Sequence, residues 1–238
     1  MSYVCVVPYT YEPYFQEFMK TCKIPVENML IIDNSTSDKN VGVMKSHNMG
    51  IDFMKERGAD WLIVISPAIR FGEKGGLDFI ELVERHYDYH VIHGGSENVE
   101  GGKQSNPEGG GVNKVFGWHL MAINKTVFEA IGRYDQNFTP YGFDDIDLSL
   151  RIRKHFKEDT KWDTFPCDVT DTRMSHSLHF VPEVVGEADS NPRIAYFVQK
   201  WGRHPSAWQW DGWDHPFNNE DHDLKYWPPA PDGGFWNE

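Results

Sequence analysis

The sequence predicts an α/β protein built on one open, mainly parallel sheet. Short β-branched apolar runs alternate with stretches of helical periodicity through the first third of the chain, and Asn, Asp, Gly and Pro gather at the joints. Such alternation implies right-handed βαβ units. Ligands of these sheets bind at the carboxyl ends of the strands, so strand-ending residues are the first candidates for a site.

Tyr3–Val7 is an apolar run stopped by Pro8 and reads as a buried strand. Tyr14–Cys22 carries Phe15, Phe18 and Met19 at helical spacing. Met29–Ile32 is a second strand, ended by the turn-forming run Asp33-Asn34-Ser35-Thr36-Ser37-Asp38. Val41–Arg57 reads as a helix closed by Gly58, and Trp61–Ser66 as the third strand. An amphipathic helix over Leu77–His86 and a short strand over His90–His93 follow. Gly94–Gly111 holds seven glycines and little apolar material, which predicts a mobile loop. Val115–Ile123 resumes strand character, and Lys125–Ile131 is a short helix. Asp144–Phe156 is a helix opened by acidic residues, with Leu148, Ile152 and Phe156 on one face, and Asp168–Ser175 is strand-like. These elements give one domain over 1–181. Over 182–238 the composition turns to Trp, Pro, Asp and His, with Trp201, Trp208, Trp210, Trp213, Trp227 and Trp236. So many indoles would not stay soluble if all were exposed, which predicts an irregular extension packed on the domain.

Composition narrows the function classes. The 238 residues suffice for one substantial core. The net charge of −13 argues against an extended nucleic-acid surface, which needs clustered Lys and Arg, although a local basic pocket for one diphosphate remains compatible with it. Three widely spaced cysteines, Cys5, Cys22 and Cys167, form neither a disulfide framework nor a zinc site. No run approaches the roughly 18 apolar residues of a membrane span. The opening Met-Ser-Tyr-Val-Cys-Val-Val-Pro lacks the pattern of a signal peptide, which predicts a cytoplasmic protein.

The predicted strand ends bring Pro8-Tyr9-Thr10, Asp33-Asn34-Ser35 and Ser66-Pro67-Ala68 along one edge. Asp33-Asn34-Ser35 fits a strand-ending turn as well as a binding loop, because these side chains bond their own backbone. Asp144, Asp145 and Asp147 fit helix capping and dipole compensation. Crowding of three carboxylates within four residues also raises the pKa of at least one, and a carboxylate beside a site can remove a proton.

Several stretches, in order, resemble family 2-like glycosyltransferases with the nucleotide-sugar (GT-A) fold. Leu30-Ile31-Ile32-Asp33-Asn34-Ser35-Thr36-Ser37-Asp38 is similar to that family's strand and D-N-x-S-x-D turn. Asn48-x-Gly50 and Gly58-Ala59-Asp60-Trp61-Leu62 resemble the helix that follows and the start of the third strand. Gly132-Arg133-Tyr134-Asp135-Gln136-Asn137-Phe138 resembles a G-x-F/Y-D-x-x-F segment, and the run from Tyr141 to Arg151 resembles a Y-G-x-E-D-x-D-L-x-x-R helix. Tyr196-Phe197-x-x-Lys200-Trp201-Gly202 and His215-Pro216-Phe217 resemble C-terminal motifs of a subset that includes bacteriophage enzymes.

The resemblance implies a GT-A-like fold: an open mixed, mainly parallel sheet flanked by helices, with the Trp-rich extension beside it. It implies transfer of a sugar from a nucleotide-sugar donor, UDP-linked by preference, to a hydroxyl acceptor with inversion, in the host cytoplasm for a phage-encoded member. The acceptor can be a protein, a glycan, a lipid-linked sugar or a modified base. Pro8, Tyr9, Thr10, Asp33, Asn34, Ser35, Asn48, Ser66, Pro67, Ala68, Trp118 and Lys200 map to donor binding. The second acidic residue of the helix pair, Asp145, maps to the base, with Asp144 its alternative. One departure stands out. The family ends its third strand in a D-x-D that holds Mn²⁺ or Mg²⁺, and this chain has Ser66-Pro67-Ala68. That leaves a metal-independent enzyme, other ligands such as His176, or a nucleotide-sugar-binding protein without catalysis. Lys200 is the expected replacement cation beside the diphosphate. A sugar nucleotidyltransferase would need a Gly-rich basic loop after the first strand, and Pro8-Tyr9-Thr10-Tyr11-Glu12 provides none.

Overall fold

The computed structural model describes residues 1–99, 119–138, 142–171 and 191–201. In chain order the elements are β1 (Tyr3–Tyr9), α1 (Glu12–Thr21), β2 (Met29–Asp33), α2 (Val43–Arg57), β3 (Trp61–Ile65), β4 (Ile69–Phe71), α3 (Leu77–Arg85), β5 (Val91–Val99), β6 (Leu120–Asn124), α4 (Lys125–Ile131), α5 (Asp144–Phe156), β7 (Trp162–Asp171) and α6 (Asn191–Trp201). The strands form one seven-stranded sheet in the order β2-β1-β3-β6-β5-β7-β4. Pairs β1–β2, β1–β3 and β5–β7 are parallel, while β6 runs antiparallel to β3 and β5, and β4 antiparallel to β7. The carboxyl ends of β1, β2, β3, β5 and β7 therefore share one edge, which β6 and β4 meet with their first residues.

Side chains alternate across this sheet, as a period of two requires. Val4, Val6, Leu62, Val64, Val91, Met121 and Ile123 face α2, α4, α5 and α6. Cys5, Val7, Trp61, Ile63, Ile65, Ile92 and Leu120 face α1 and α3. Helix α2 lies close on β1 because Gly50 presents no side chain: a Cβ there would stand 2.8 Å from that of Val6. Gly58 then ends α2 in the left-handed conformation, its N–H returning to the Lys55 and Met54 carbonyls.

The mixed, mainly parallel architecture agrees with the expectation, with local corrections. The third strand stops at Ile65 and β6 starts at Leu120. Gly94 and Gly95, read as loop, continue β5 opposite Phe165 and Pro166. Strand β7 begins at Trp162, ahead of the expected Asp168, and β4 was not foreseen. The extension, expected to be irregular, contributes the regular helix α6, whose Phe197 and Trp201 join the core at 0 and 2 % exposure. Burial of a side chain such as Phe197 contributes about 1.5–3 kcal/mol to the docking of α6. No helix among the described residues is long and apolar enough to cross a membrane.

Candidate functional site

The shared strand edge is built from backbone pairing upward. Tyr9 and Asp33 lie opposite each other at the ends of β1 and β2, and the Asn34 N–H extends the pairing to the Tyr9 carbonyl at 2.8 Å. The Tyr9 ring stacks on Phe15 at 4.4 Å. Its burial, followed by hydrogen bonding to Glu12 and the charge of Asp33, pushes the phenol far above its usual range. Asp33 is half-buried. One carboxylate oxygen accepts the Ser35 N–H at 2.9 Å and the other accepts Lys39 Nζ at 2.6 Å. The bonds from Lys39 and Ser35 hold the carboxyl well below the ordinary range, so Asp33 is a fixed anion with room for further donors. Pro8 and Ser35 are half-buried beside it, and Thr10 is exposed.

Asn34 has a different task from the one expected. It is 2 % exposed, its amide donates to Ser46 Oγ at 3.0 Å, and its carbonyl oxygen accepts the Val41 N–H at 3.0 Å. The side chain thus ties the loop after β2 to the first turn of α2. Asn48 is likewise turned inward. Its amide donates to the Tyr134 carbonyl and accepts the Tyr134 N–H, both at 2.9 Å, which clamps that backbone to α2.

Helix α5 brings carboxylates to the same edge. Phe156, at its far end, stacks on His90 at the start of β5, so α5 runs against the parallel strands with its N-terminus toward their carboxyl ends. Tyr134 packs on His47 of α2 at 5.0 Å and feels the charge of Asp144, which places this N-terminus near the loop after β2. Phe143, just before the helix, has φ 65°. A left-handed non-glycine residue costs of order 1–3 kcal/mol and persists only where its surroundings enforce it, commonly at functional sites.

The acidic residues at this end differ sharply. Asp144 is 4 % exposed; one oxygen accepts the Gly142 N–H at 3.1 Å, and the other is buried without a hydrogen-bond partner among the described residues. Burial, then the charge of Asp145, pushes its carboxyl up to about 8. Asp145 is half-buried, with Oδ1 accepting the Ile146 N–H at 2.8 Å. An unfolded chain releases the Asp144 proton near pH 4, whereas the folded protein retains it. The stability this carboxyl contributes is therefore complete below about pH 4 and lost as pH rises toward 8. Asp144→Asn, which never ionises, should melt above wild type at pH 8–9 by more than the roughly 2–4 °C that one kcal/mol makes in a chain of this size, and the gap should shrink toward pH 4. Melting curves across that range test this; parallel curves would show that Asp144 is not held neutral.

Asp147 belongs to a buried ionic cluster. Lys200 Nζ lies 2.6 Å from Asp135 Oδ2 and 2.8 Å from Asp147 Oδ1. Asp147 also accepts Arg151 Nε and Trp201 Nε1, both at 2.9 Å, and Asp135 accepts the Tyr196 hydroxyl at 2.6 Å. Burial alone would push Asp147 up, but the Lys200 and Arg151 charges, with bonds from Lys200 and Trp201, bring it below its ordinary value. The expectation that Lys200 faces a donor diphosphate is corrected here: the side chain is 1 % exposed and lies between two carboxylates.

The turn after β3 carries a residue that sequence reasoning passed over. Ser66 donates its N–H to the His119 carbonyl at 2.9 Å, and its hydroxyl oxygen accepts the Ala68 N–H at 3.3 Å. The half-buried Arg70 then reaches back, its Nη1 donating to the Pro67 and Ile69 carbonyls at 2.8 Å each. A cation two residues beyond a carboxylate-free tripeptide was the available signal. Trp118 and His176 lie outside the described residues.

No family model and no curated protein sequence matches the chain. Solved structures do. A mannosyltransferase of Pyrobaculum calidifontis, PcManGT, in complex with GDP-mannose and Mn²⁺ superposes with TM-score 0.53 at 11 % identity, over 84 % of this chain and 63 % of that one. Residues 1–349 of TarS from S. aureus give TM-score 0.50 at 10 % identity, over 81 % and 68 %. The chain thus spans less than two thirds of the mannosyltransferase. At this identity the likeness concerns the fold, and the fold is GT-A-like.

Proposed function

We propose that this protein is a glycosyltransferase that moves a sugar from a nucleotide-sugar donor, UDP-linked by preference, to a hydroxyl acceptor. One observation carries the reading: Asp33, as a fixed anion, and the Asp144-Asp145 end of α5 occupy the same sheet edge in a GT-A-like fold. Asp33 accepts hydrogen bonds from the nucleoside, with Pro8, Tyr9, Thr10 and Ser35 as the pocket wall. The acceptor oxygen forms its bond to the sugar's anomeric carbon on the face opposite the diphosphate. The carbon–oxygen bond to the diphosphate breaks with its electron pair, and Asp145 takes the acceptor's proton. Direct displacement inverts the anomeric centre.

Asp33→Ala tests the donor half. The lost pair with Lys39 is exposed and worth about 0–1 kcal/mol, so the variant should fold. At a hundredfold excess over its Kd, UDP adds about 2.7 kcal/mol to stability, which is roughly 5–11 °C in Tm. Wild type should show this rise and Asp33→Ala most of its loss; equal rises would remove Asp33 from the pocket. A second reading, a nucleotide-sugar binder without turnover, draws on Ser66-Pro67-Ala68. It predicts the same UDP shift with no release of UDP from a UDP-sugar.

A further inference from the structure

The tripeptide that ends β3 does not fit the metal that the resemblance implies. Mn²⁺ and Mg²⁺ take hard oxygen ligands, carboxylates foremost. Ser66-Pro67-Ala68 has none, and among the described residues no group of three or more His, Cys, Asp or Glu is placed to hold an ion. The entry to α5 has a conformation that its own sequence does not account for. A helix start usually carries Ser, Thr, Asp or Asn in extended backbone, with the side chain bonded to a first-turn N–H. Here Phe143 holds that position with φ 65° and no side-chain cap, and Gly142 before it has φ 101°. Glycine adopts such angles without strain, whereas a bulky residue does so only under outside constraint.

The constraint comes from α6. The Phe143 ring lies 5.9 Å from that of Phe197, which also meets Phe138 at 6.1 Å, and all three pack into the core on the α5 side of the sheet. A Cβ on Gly142 would stand 3.7 Å from Arg193 Nη1, so α6 backs both residues of the turn. The turn then sets the first residues of α5. The Phe143 carbonyl accepts the Asp147 N–H at 2.8 Å, and the Gly142 N–H donates to Asp144 Oδ1 at 3.1 Å. With the helix entered in this way, Asp144 is buried and Asp145 stands half-buried beside it. From Asp147 onward the helix has separate anchors in Lys200, Trp201 and Arg151. Asp144 and Asp145 precede those anchors and take their direction from the turn. On the reading of Asp145 as the acceptor's base, we propose that Phe143 is a positioning residue: its ring, held against Phe197, keeps the turn left-handed and so fixes the Asp145 carboxylate where the acceptor binds. Helix α6 thereby serves turnover without touching substrate.

Steady-state release of UDP from UDP-glucose, UDP-galactose or UDP-N-acetylglucosamine, whichever wild type hydrolyses fastest, tests this in Phe143→Ala, Phe143→Gly and Phe197→Leu. Tm and its rise with UDP are measured beside it. A displaced base slows turnover and leaves donor binding alone. In Phe143→Ala and Phe197→Leu kcat should therefore fall about ten- to a hundredfold, at unchanged KM and unchanged rise with UDP. Phe143→Gly should turn over faster than Phe143→Ala, because glycine enters the left-handed turn without a ring to enforce it. Loss of packing alone predicts the opposite order, since glycine removes a further carbon and loosens the chain. Phe79→Leu, buried on the α1–α3 face, should lower Tm and leave kcat at its wild-type value, which separates position from stability. Wild-type kcat in Phe143→Ala overturns the proposal. So does a Phe143→Gly no faster than Phe143→Ala, or a kcat that falls in Phe79→Leu along with its Tm. Should Phe143→Ala fail to fold, wild-type kcat in Phe197→Leu is the overturning result. In each of these cases a slow Asp145→Asn leaves the transferase reading standing. A wild type that releases UDP from none of the three donors, or an Asp145→Asn as fast as wild type, overturns that reading and this proposal with it.

Discussion

Lys200→Met is expected to lower stability by about 3–5 kcal/mol, or roughly 6–20 °C in Tm, although it removes no exposed group. Methionine keeps most of the volume, so packing is little disturbed. What changes is charge: Asp135 and Asp147, both buried, lose the ammonium that stands within 2.8 Å of each. An uncompensated buried carboxylate is costlier than the pair it leaves. The same substitution in an Asp147→Asn background should do less damage, with a coupling of about 0.5–3 kcal/mol. The pH dependence has a definite sign. Asp147 sits below its ordinary value, so its pairing contributes stability above about pH 4 that disappears as acid protonates it. The gap between wild type and Lys200→Met should therefore narrow below about pH 4. Denaturant titrations at pH 7 and pH 3.5 measure both effects, and a Lys200→Met variant as stable as wild type would mean that water reaches the cluster. Because Asp147 lies one turn along α5 from Asp144, the cluster also fixes the helix that presents the acidic end of the site.

How much of this was readable in the sequence depends on how local each signal is. β1, β2, β3 and α2 are legible because apolar runs end at Pro8, at Asp33-Asn34 and at Gly58, and these punctuators act within a few residues. The two-glycine stretch that misled the reading of β5 acts at long range. A Cβ at Gly94 would stand 2.7 Å from Leu120 Cδ2, so the absence of a side chain answers to a neighbouring strand and does not signal looseness. β7 is masked by Pro166 and by the polar residues of its other face, and β4, at three residues, is shorter than any useful period. The site shows the same division. Asp33 announces itself by ending a strand. Crowding of Asp144, Asp145 and Asp147 foretold a raised carboxyl, but burial is the larger cause for Asp144, and burial is set by the packing of α5. Lys200 has the composition of a phosphate ligand and the surroundings of a core residue. Only the meeting of Asp135, Asp147 and α6 decides between them, and Lys200 lies more than 50 positions along the chain from either carboxylate.

Asp145→Asn carries the largest expected effect on turnover. Asparagine keeps the size and shape of the side chain and cannot take a proton. Removing a general base slows a reaction by about 10²–10⁴-fold, the upper figure equivalent to roughly 5 kcal/mol of transition-state stabilisation. Release of UDP from a UDP-sugar, with water as acceptor, measures this without knowledge of the natural acceptor, because water must also lose a proton as it attacks. The rise in Tm with UDP should stay at its wild-type value, since the proposed function places the nucleoside at Asp33, at the end of β2, and Asp145 on α5. Asp144 is the internal comparison. Its carboxyl is buried and raised to about 8, so at neutral pH it starts largely in the acid form and not as the carboxylate a base needs, and one of its oxygens is engaged by Gly142. Asp144→Asn should therefore lower UDP release at pH 7 far less than Asp145→Asn does. The reverse order, with Asp145→Asn near normal and Asp144→Asn inactive, would exchange the two roles. It would also require the buried oxygen of Asp144 to turn toward the acceptor in the working enzyme.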